Sequence, residues 1–429
     1  MKDRRKFLQK LSGVAGATLL NPLIGKAYSE NLLQAIHQNE GRPASELATD
    51  EDFWYFVQQA FTTSANIVNL NNGGVSPQPK VVQDAVEHYN RLSNETPSYY
   101  MWRILDSGRE PLRAKLADLA GCSPEEIAIH RNTTESLANV IFGLSLKPGD
   151  EIVLTKQDYP NMINAWKQRE RRDGIVLKWL NLELPIEDND LIVKEFEKMY
   201  TPKTKLVHIT HMINWNGQVL PARAIADSAH RRGIEVLVDA AHSFAHIDFK
   251  INDLNCDYLG TSLHKWLCAP FGTGMLYVRK EKIKNLYPLI AANETETEDI
   301  RKFEHLGTRS IAIEQAIGQA INFHQMIGNE RKFARLFYLK KYWTDKVSHL
   351  PKVKINSPVS QGFSGAIALL SVEGKESPEL SEILFNTYKI HTTPINWENI
   401  HGVRITPNVY TSLKDLDRLV IAITEIANA

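Results

Sequence analysis

The chain has 429 residues, 43% of them hydrophobic, enough for two packed domains with substantial cores. Lysine plus arginine and aspartate plus glutamate balance at 50 each, so bulk charge gives no case for a nucleic-acid partner. Three scattered cysteines, Cys122, Cys256 and Cys268, exclude a disulfide framework or a metal knuckle.

The first stretch reads as an address rather than as fold. "DRRKFLQKLSGVAGATLLNPLIGKAYS" carries a twin arginine (Arg4, Arg5), then Phe7 and Leu8, a short apolar region and small residues near Ala27. This is the arrangement of a twin-arginine export signal over residues 1–27. Asn21 and Pro22 interrupt the apolar run, which is too short to span a bilayer. The expectation is an exported, periplasmic protein handed to the twin-arginine export machinery, with no stable membrane insertion.

An N-terminal segment (28–79) precedes two amphipathic patterns, Lys80–Leu92 and Glu110–Ala120, whose three- and four-residue apolar spacing predicts helices. Short β-rich runs follow at Glu151–Thr155, Lys205–Thr210, Glu235–Ala240 and Gly274–Val278, with helical stretches such as "MINAWKQRERR" and "ARAIADSAHRR" between them. Strands alternating with helices predict an α/β domain, here 80–310, with a largely parallel sheet covered on both faces. After Thr308 the pattern changes to two long helical stretches, Ile311–Ile327 and Glu330–Ser348, a strand-like "GAIALLSV" and a closing helix from Leu413. That predicts a smaller α+β domain over 311–429.

The chemistry centres on "TSLHKWLCAPFGTGML" (Thr261–Leu276), which sets Lys265 among small, aromatic and apolar residues. Such a lysine either lays its stem on apolar surface or is an amine of lowered pKa poised for a Schiff base. "VLVDAAH" puts Asp239 and His242 just past a hydrophobic strand, where open α/β sheets bind ligands. Alone, Asp239 reads as a helix cap. With a lysine 26 residues later, the two supply the carboxylate for a pyridinium nitrogen and the amine for an aldehyde that pyridoxal 5'-phosphate requires.

"RNTTESLANVIFGL" places Thr133 and Thr134 at the start of a helix, where unpaired N–H groups and the dipole attract phosphate. Ser262 and His264 can close the other side. In "HMINWNGQVLP", Asn214 is placed to donate to a phenolic oxygen, a contact His242 can share, and Tyr159 of "DYPN" can stack on the ring. A zinc site built from His208, His211, His242 and His246 matches no metal-binding helix spacing, so no metal is expected.

These motifs stand in order through "NLNNGGVSPQP", "RNTTES", "HMINWNG", "VDAAH", "SLHKW", "HLGT" and "VRITPNVYTSLKDLDRL". So arranged, the chain resembles the class V aminotransferase family of fold-type I pyridoxal-phosphate enzymes, including its cysteine desulfurase and isopenicillin N epimerase branches. The opening, "RNTTES" and "DYPN" are most similar to the epimerase branch.

The resemblance implies a mostly parallel seven-stranded sheet and a homodimer with shared active sites. It implies that Lys265 carries the cofactor and Asp239 pairs with its ring nitrogen, while His242 and Asn214 hold the phenolic oxygen. Thr133, Thr134, Ser262 and His264 would hold the phosphate, with Thr308 reaching it from the neighbouring subunit. Arg404 would grip the α-carboxylate of an amino substrate, since a bidentate guanidinium suits that planar group. Cysteine desulfurases need a nucleophilic cysteine near the C-terminal domain, and none occurs after Cys268. Transamination, epimerisation and elimination, including a C–S lyase without a persulfide cysteine, all remain open on these residues. So does a non-catalytic binding protein on the same fold.

Overall fold

A computed structural model describes residues 26–429. The twin-arginine pattern at Arg4 and Arg5 lies outside them. The first strand, β1 (Val68–Asn69), pairs in parallel with Ile390–His391 near the other end of the chain. Seven further strands make the large sheet: β2 (Ile127–His130), β3 (Glu151–Thr155), β4 (Val176–Leu180), β5 (Thr204–Thr210), β6 (Glu235–Asp239), β7 (Tyr258–Ser262) and β8 (Gly274–Val278). Their order is β2-β8-β7-β6-β5-β3-β4, parallel except for β8, which runs antiparallel between β7 and β2.

The near-continuous apolar strands follow from cover on both faces. Leu206 and Leu237 on one face join Ile152, Leu154 and the helices Thr133–Gly143 and Pro160–Asp173, which contribute Val140, Ile141 and Trp166. On the other face Val207, Ile209, Val236 and Val238 meet the helices Arg109–Ala120, Ala222–His230 and Ile311–Ile327. The carboxyl ends of β5, β6 and β7 present Thr210, Asp239 and Ser262 side by side.

The second sheet is antiparallel. β9 (Val353–Ile355), β10 (Ala368–Val372), β12 (Thr393–Trp397) and β13 (Ile400–Ile405) lie in the order β12-β13-β10-β9, with β11 (Ile390–His391) held by β1. The helices Asn329–Val347, Ser377–Asn386 and Leu413–Asn428 close its core, the last starting at a capping box between Ser412 and Asp415. The sequence pattern reveals β10 but hides the β12–β13 hairpin. Its alternation is short, with Pro394, Asn396 and His401 on the exposed face, and its turn uses Glu398 and Asn399 rather than a glycine-bearing pair.

The N-terminal segment is a wedge rather than a linker. Leu47, Trp54, Val57 and Phe61 share a core with Leu336 and Val409, and with Trp266 and Cys268 beside Lys265. Arg335 clamps this arrangement, donating to Glu51 at 2.5 Å and to the Ala48 carbonyl at 2.9 Å, with its guanidinium 5.3 Å from the Trp54 ring centroid. Among the described residues no helix is long and apolar enough to cross a membrane.

Candidate active site

Asp239 ends β6, His242 lies in the turn beyond it, and Lys265 follows the end of β7. The Lys265 amine lies 2.9 Å from Nε2 of His242. The Trp266 indole donates to Nδ1 of His242 at 3.4 Å. An indole can only donate, so Nδ1 is the lone-pair nitrogen and the imidazole proton sits on Nε2. Burial, followed by the charges of Lys265 and Arg404, holds the pKa of His242 well below its ordinary value. A neutral imidazole donating to the amine fits the unprotonated form of Lys265, which its lowered pKa makes accessible. Burial lowers the pKa of Lys265 to about 8; Asp239 pulls it back up and Arg404 pushes it further down. Of the two readings of this lysine, the geometry supports the reactive amine.

His246 steadies the group from behind. Its Nδ1 bonds the His242 carbonyl at 2.7 Å, its Nε2 accepts from the Ala366 N–H at 2.8 Å, and its ring stacks on Trp266 with centroids 3.6 Å apart. The buried Lys332 donates to the Trp266 carbonyl, so the small domain also grips the loop that carries Lys265.

The phosphate end assembles where the helix Thr133–Gly143 meets β7 and β8. Ser262 Oγ accepts from the Thr133 N–H at 2.9 Å and lies 2.7 Å from its hydroxyl. Asn132 caps the helix by accepting from the Glu135 N–H at 2.9 Å. The Thr134 N–H and hydroxyl have no acceptor among the described residues, which leaves donors at a helix N-terminus. Gly274 makes the close approach possible: a Cβ there would lie 2.5 Å from the Asn132 nitrogen. His264 lies at the rim, its Nδ1 bonded to the Thr273 carbonyl at 3.0 Å, and burial followed by the Lys265 charge lowers its pKa.

Arg404 comes from β13, across from the large sheet. It is buried, donates to the Asn214 carbonyl at 2.9 Å and to Asn71 Oδ1 at 3.0 Å, and leaves its Nε without a partner. Burial lowers its pKa to about 10, so it remains a cation at neutral pH, and no carboxylate pairs with it among the described residues. Gly73 sits between Arg404 and His242: a Cβ there would be 3.4 Å from each. Tyr159, 40% exposed, precedes the helix Pro160–Asp173 without a side-chain cap bond and lies near enough to Arg404 to influence its charge. Asn214 is buried with Oδ1 unpartnered. Thr308 stands apart on an exposed loop, with no bond to the Lys265 cluster.

Sequence reasoning missed Asn71 and Gly73 as site residues. Both lie in the quoted "NLNNGG", but over three hundred residues separate them from Arg404. What joins them is the β1–β11 pairing and the bond from the Thr406 N–H to the Leu70 carbonyl at 2.7 Å. Asp239 keeps one oxygen free: Oδ1 accepts from the Ala241 N–H at 2.9 Å and Oδ2 has no donor among the described residues. A free carboxylate oxygen, an amine of lowered pKa and open donors at a helix start are the complement that pyridoxal phosphate needs, and the orphaned polar atoms show the residues fit it.

Fold and donor set together define a pyridoxal-phosphate-dependent enzyme of fold type I. The family model described as aminotransferase class-V matches residues 68–394, and the chain belongs to that family. It is similar to an isopenicillin N epimerase of Amycolatopsis lactamdurans, 26% identical over 87% of this chain and 98% of the relative. It is also similar to a probable cysteine desulfurase of Synechocystis sp., 30% identical over 74% of this chain and 79% of that one. Among solved structures, a C-DES variant with glycine covalently linked to its pyridoxal-phosphate cofactor superposes with a TM-score of 0.77 at 21% identity. That match covers 86% of this chain and 99% of the other.

Proposed function

We propose that the protein acts at Cα of an amino acid, or of a larger molecule with an amino-acid end, in the manner of the isopenicillin N epimerase branch. One observation carries the reading: Arg404, a buried cation without a carboxylate of its own, faces His242 and Lys265 across Gly73. A buried guanidinium demands an anion, and an α-carboxylate bound there sets the neighbouring carbon toward Lys265.

Pyridoxal phosphate, when bound, supplies the electron sink that makes an α-proton labile. The protein does the rest. Asp239 presents an ionised oxygen to the ring nitrogen. Thr133, Thr134, Ser262 and His264 anchor the phosphate, and Asn214 and His242 orient the phenolic side. Lys265, half neutral near pH 8, is placed to take the proton at Cα, and inversion there requires a proton delivered to the opposite face. Tyr159, half-exposed near Arg404, is the aromatic available to stack on the cofactor ring. Cysteine-based persulfide transfer has no support here, because Cys268 is buried and burial raises its thiol pKa.

Incubating candidate amino acids and peptides with the holoenzyme in deuterated water tests the reading. Exchange of the α-proton with a shift in the cofactor's absorption is expected. Amines lacking a carboxylate that exchange equally well would overturn the role of Arg404.

The reading includes export and dimerisation. The twin arginine supports export, so Arg4→Lys with Arg5→Lys should leave a folded, yellow protein in the cytoplasm; normal export of that variant would contradict the route. Thr308, exposed and with no bond to the Lys265 cluster among the described residues, supports a site completed by a second copy. A monomer in sedimentation that is loaded and active would contradict it.

A further inference from the structure

On the face of the large sheet covered by the helix Pro160–Asp173, one side chain breaks an apolar row. His208 lies between Leu206 and Thr210 on β5, fully buried, and stands in register with Leu237 of β6 as Thr210 does with Asp239. Side chains two residues apart on a strand share a face, so His208, Thr210 and Asp239 do.

Trp166 has only an N–H to offer, and Nδ1 of His208 takes it at 2.9 Å. The proton of the neutral ring therefore sits on Nε2. That Nε2–H is buried and has no acceptor among the described residues. An aliphatic side chain, like Leu206 and Leu237 beside it, would fill the place without stranding a donor, so the histidine needs another reason.

Two carboxylates stand at this end of the sheet. Asp158 is already satisfied, accepting from the Thr155 N–H at 3.0 Å, the Thr155 hydroxyl at 2.8 Å and the Thr210 hydroxyl at 2.7 Å. Asp239 has the Ala241 N–H alone. A donor without an acceptor and an acceptor short of donors thus share one face, close enough for a charge on either to be felt by the other.

We propose that His208 is a positioning residue for Asp239: Trp166 fixes the tautomer that offers Nε2–H to the Asp239 carboxylate, favouring the ionised form that a protonated cofactor nitrogen requires. The need is real, because burial drives the Asp239 pKa up and the neighbouring Asp158 adds to that push. Trp166 and His208 are therefore a support for the cofactor's electronics built into the sheet, outside the residues that touch the cofactor.

The inference rests on the pyridoxal-phosphate reading, and the test separates the two. Holoenzyme is loaded with pyridoxal phosphate labelled with 15N at the ring nitrogen, whose chemical shift reads its protonated fraction. His208→Phe is expected to lower that fraction and weaken cofactor retention. It should also cut kcat roughly tenfold with KM unchanged, the scale of one hydrogen bond to a charged group. His208→Gln, which keeps an N–H donor near Nε2, should restore the wild-type shift. An unchanged shift in His208→Phe overturns the proposal. Should that variant not fold, Trp166→Phe decides instead: with Nδ1 released, a smaller loss of protonation is expected, and no change overturns it. A wild-type protein that takes up no labelled cofactor would sink the cofactor reading itself, whereas a wild-type signal indifferent to His208 sinks only this inference.

Discussion

Two groups of buried cations in this molecule are treated in opposite ways. Beneath the large sheet, Arg113 donates to Glu304 at 2.5 and 3.0 Å and to the Ile127 carbonyl at 2.6 Å. Glu304 also accepts from Arg109 at 2.9 Å and from the Ile129 N–H at 2.6 Å. Burial alone would raise the Glu304 pKa, yet Arg113 brings it below the ordinary carboxylate value, and Glu304 in turn raises that of Arg113. In the cleft, Lys265 and Arg404 make no ion pair among the described residues, and burial lowers both. Where charge serves cohesion the chain supplies both signs. Where it serves chemistry it leaves Lys265, Arg404 and the Asp239 carboxylate without direct ion pairs among the described residues, and the ligand brings the partners.

The sharpest break of that contrast is at Lys265. Lys265→Ala should leave a folded protein with no measurable turnover, because among the described residues Lys265 is the only amine within hydrogen-bond distance of His242. Borohydride should fix the cofactor covalently in the native protein and not in the variant. A label found instead on Lys250 or Lys280 would dislodge the assignment.

Next come the two arginine systems, which should respond in different currencies. Glu304→Gln leaves Arg113 only the half-exposed Glu110 as counter-charge and should lower folding stability by about 1–3 kcal/mol, read in urea, with the loaded cofactor's spectrum unchanged. Arg404→Ala should instead weaken amino-acid binding by about 2–5 kcal/mol, tens- to thousands-fold, with cofactor loading near normal. Arg404→Lys should recover only part of it, since a point charge cannot replace the planar fork. Arg404→Met should cost little in stability, because it removes a buried charge that nothing in the protein balances. A large stability loss in Arg404→Met would erase the distinction.

Most of the large domain and its site is legible in the sequence, for a physical reason. Its strands are short apolar runs, its chemistry sits at their carboxyl ends, and Asp239, His242 and Lys265 lie within 27 consecutive residues. The second sheet is less legible because only β10 is mostly apolar, broken by Ser371 alone; β12 alternates over a few residues and places Pro394 and Asn396 outward. Asn71 and Gly73 needed tertiary contact to be recognised, as did the tautomer of His208, which depends on Trp166 some forty residues away. A motif names a residue type at a position, while a tautomer is set by the neighbour that folding brings.

The unpaired amine also makes a pH signature. The pKa of Lys265 falls from 10.5 to about 8 on folding, so between those values the unfolded chain binds more protons than the folded one. Stability of the cofactor-free protein should therefore rise with pH across roughly 8 to 10.5. Lys332 and Lys340, also pushed to about 8 by burial, add to the same slope. Lys265→Met should flatten it in part. Because only the neutral amine attacks an aldehyde, cofactor uptake should speed up with pH around a midpoint near 8. Uptake that slows over the same range would contradict this state of the amine.

The smallest effect is expected three residues beyond Lys265, at the boundary between cleft and core. Cys268 faces the packed side: its sulfur lies 3.8 Å from the Trp266 carbonyl and 3.6 Å from the Asn408 amide, in the core that also holds Trp54 and Leu336. Burial raises its thiol pKa although the Lys332 charge opposes the rise, so little thiolate exists at neutral pH. Cys268→Ala removes one buried atom and should cost on the order of 1 kcal/mol of stability. Turnover and the cofactor spectrum should stay within about twofold of wild type, since less than half a kcal/mol at the reacting centre is at stake. Iodoacetamide at neutral pH should likewise leave activity intact, because burial also raises the thiol pKa of Cys256 and, to about 12, that of the partly exposed Cys122. Loss of turnover in Cys268→Ala with the spectrum preserved would mean this sulfur takes part in the reaction, and would move it from the packed side of the comparison to the cleft.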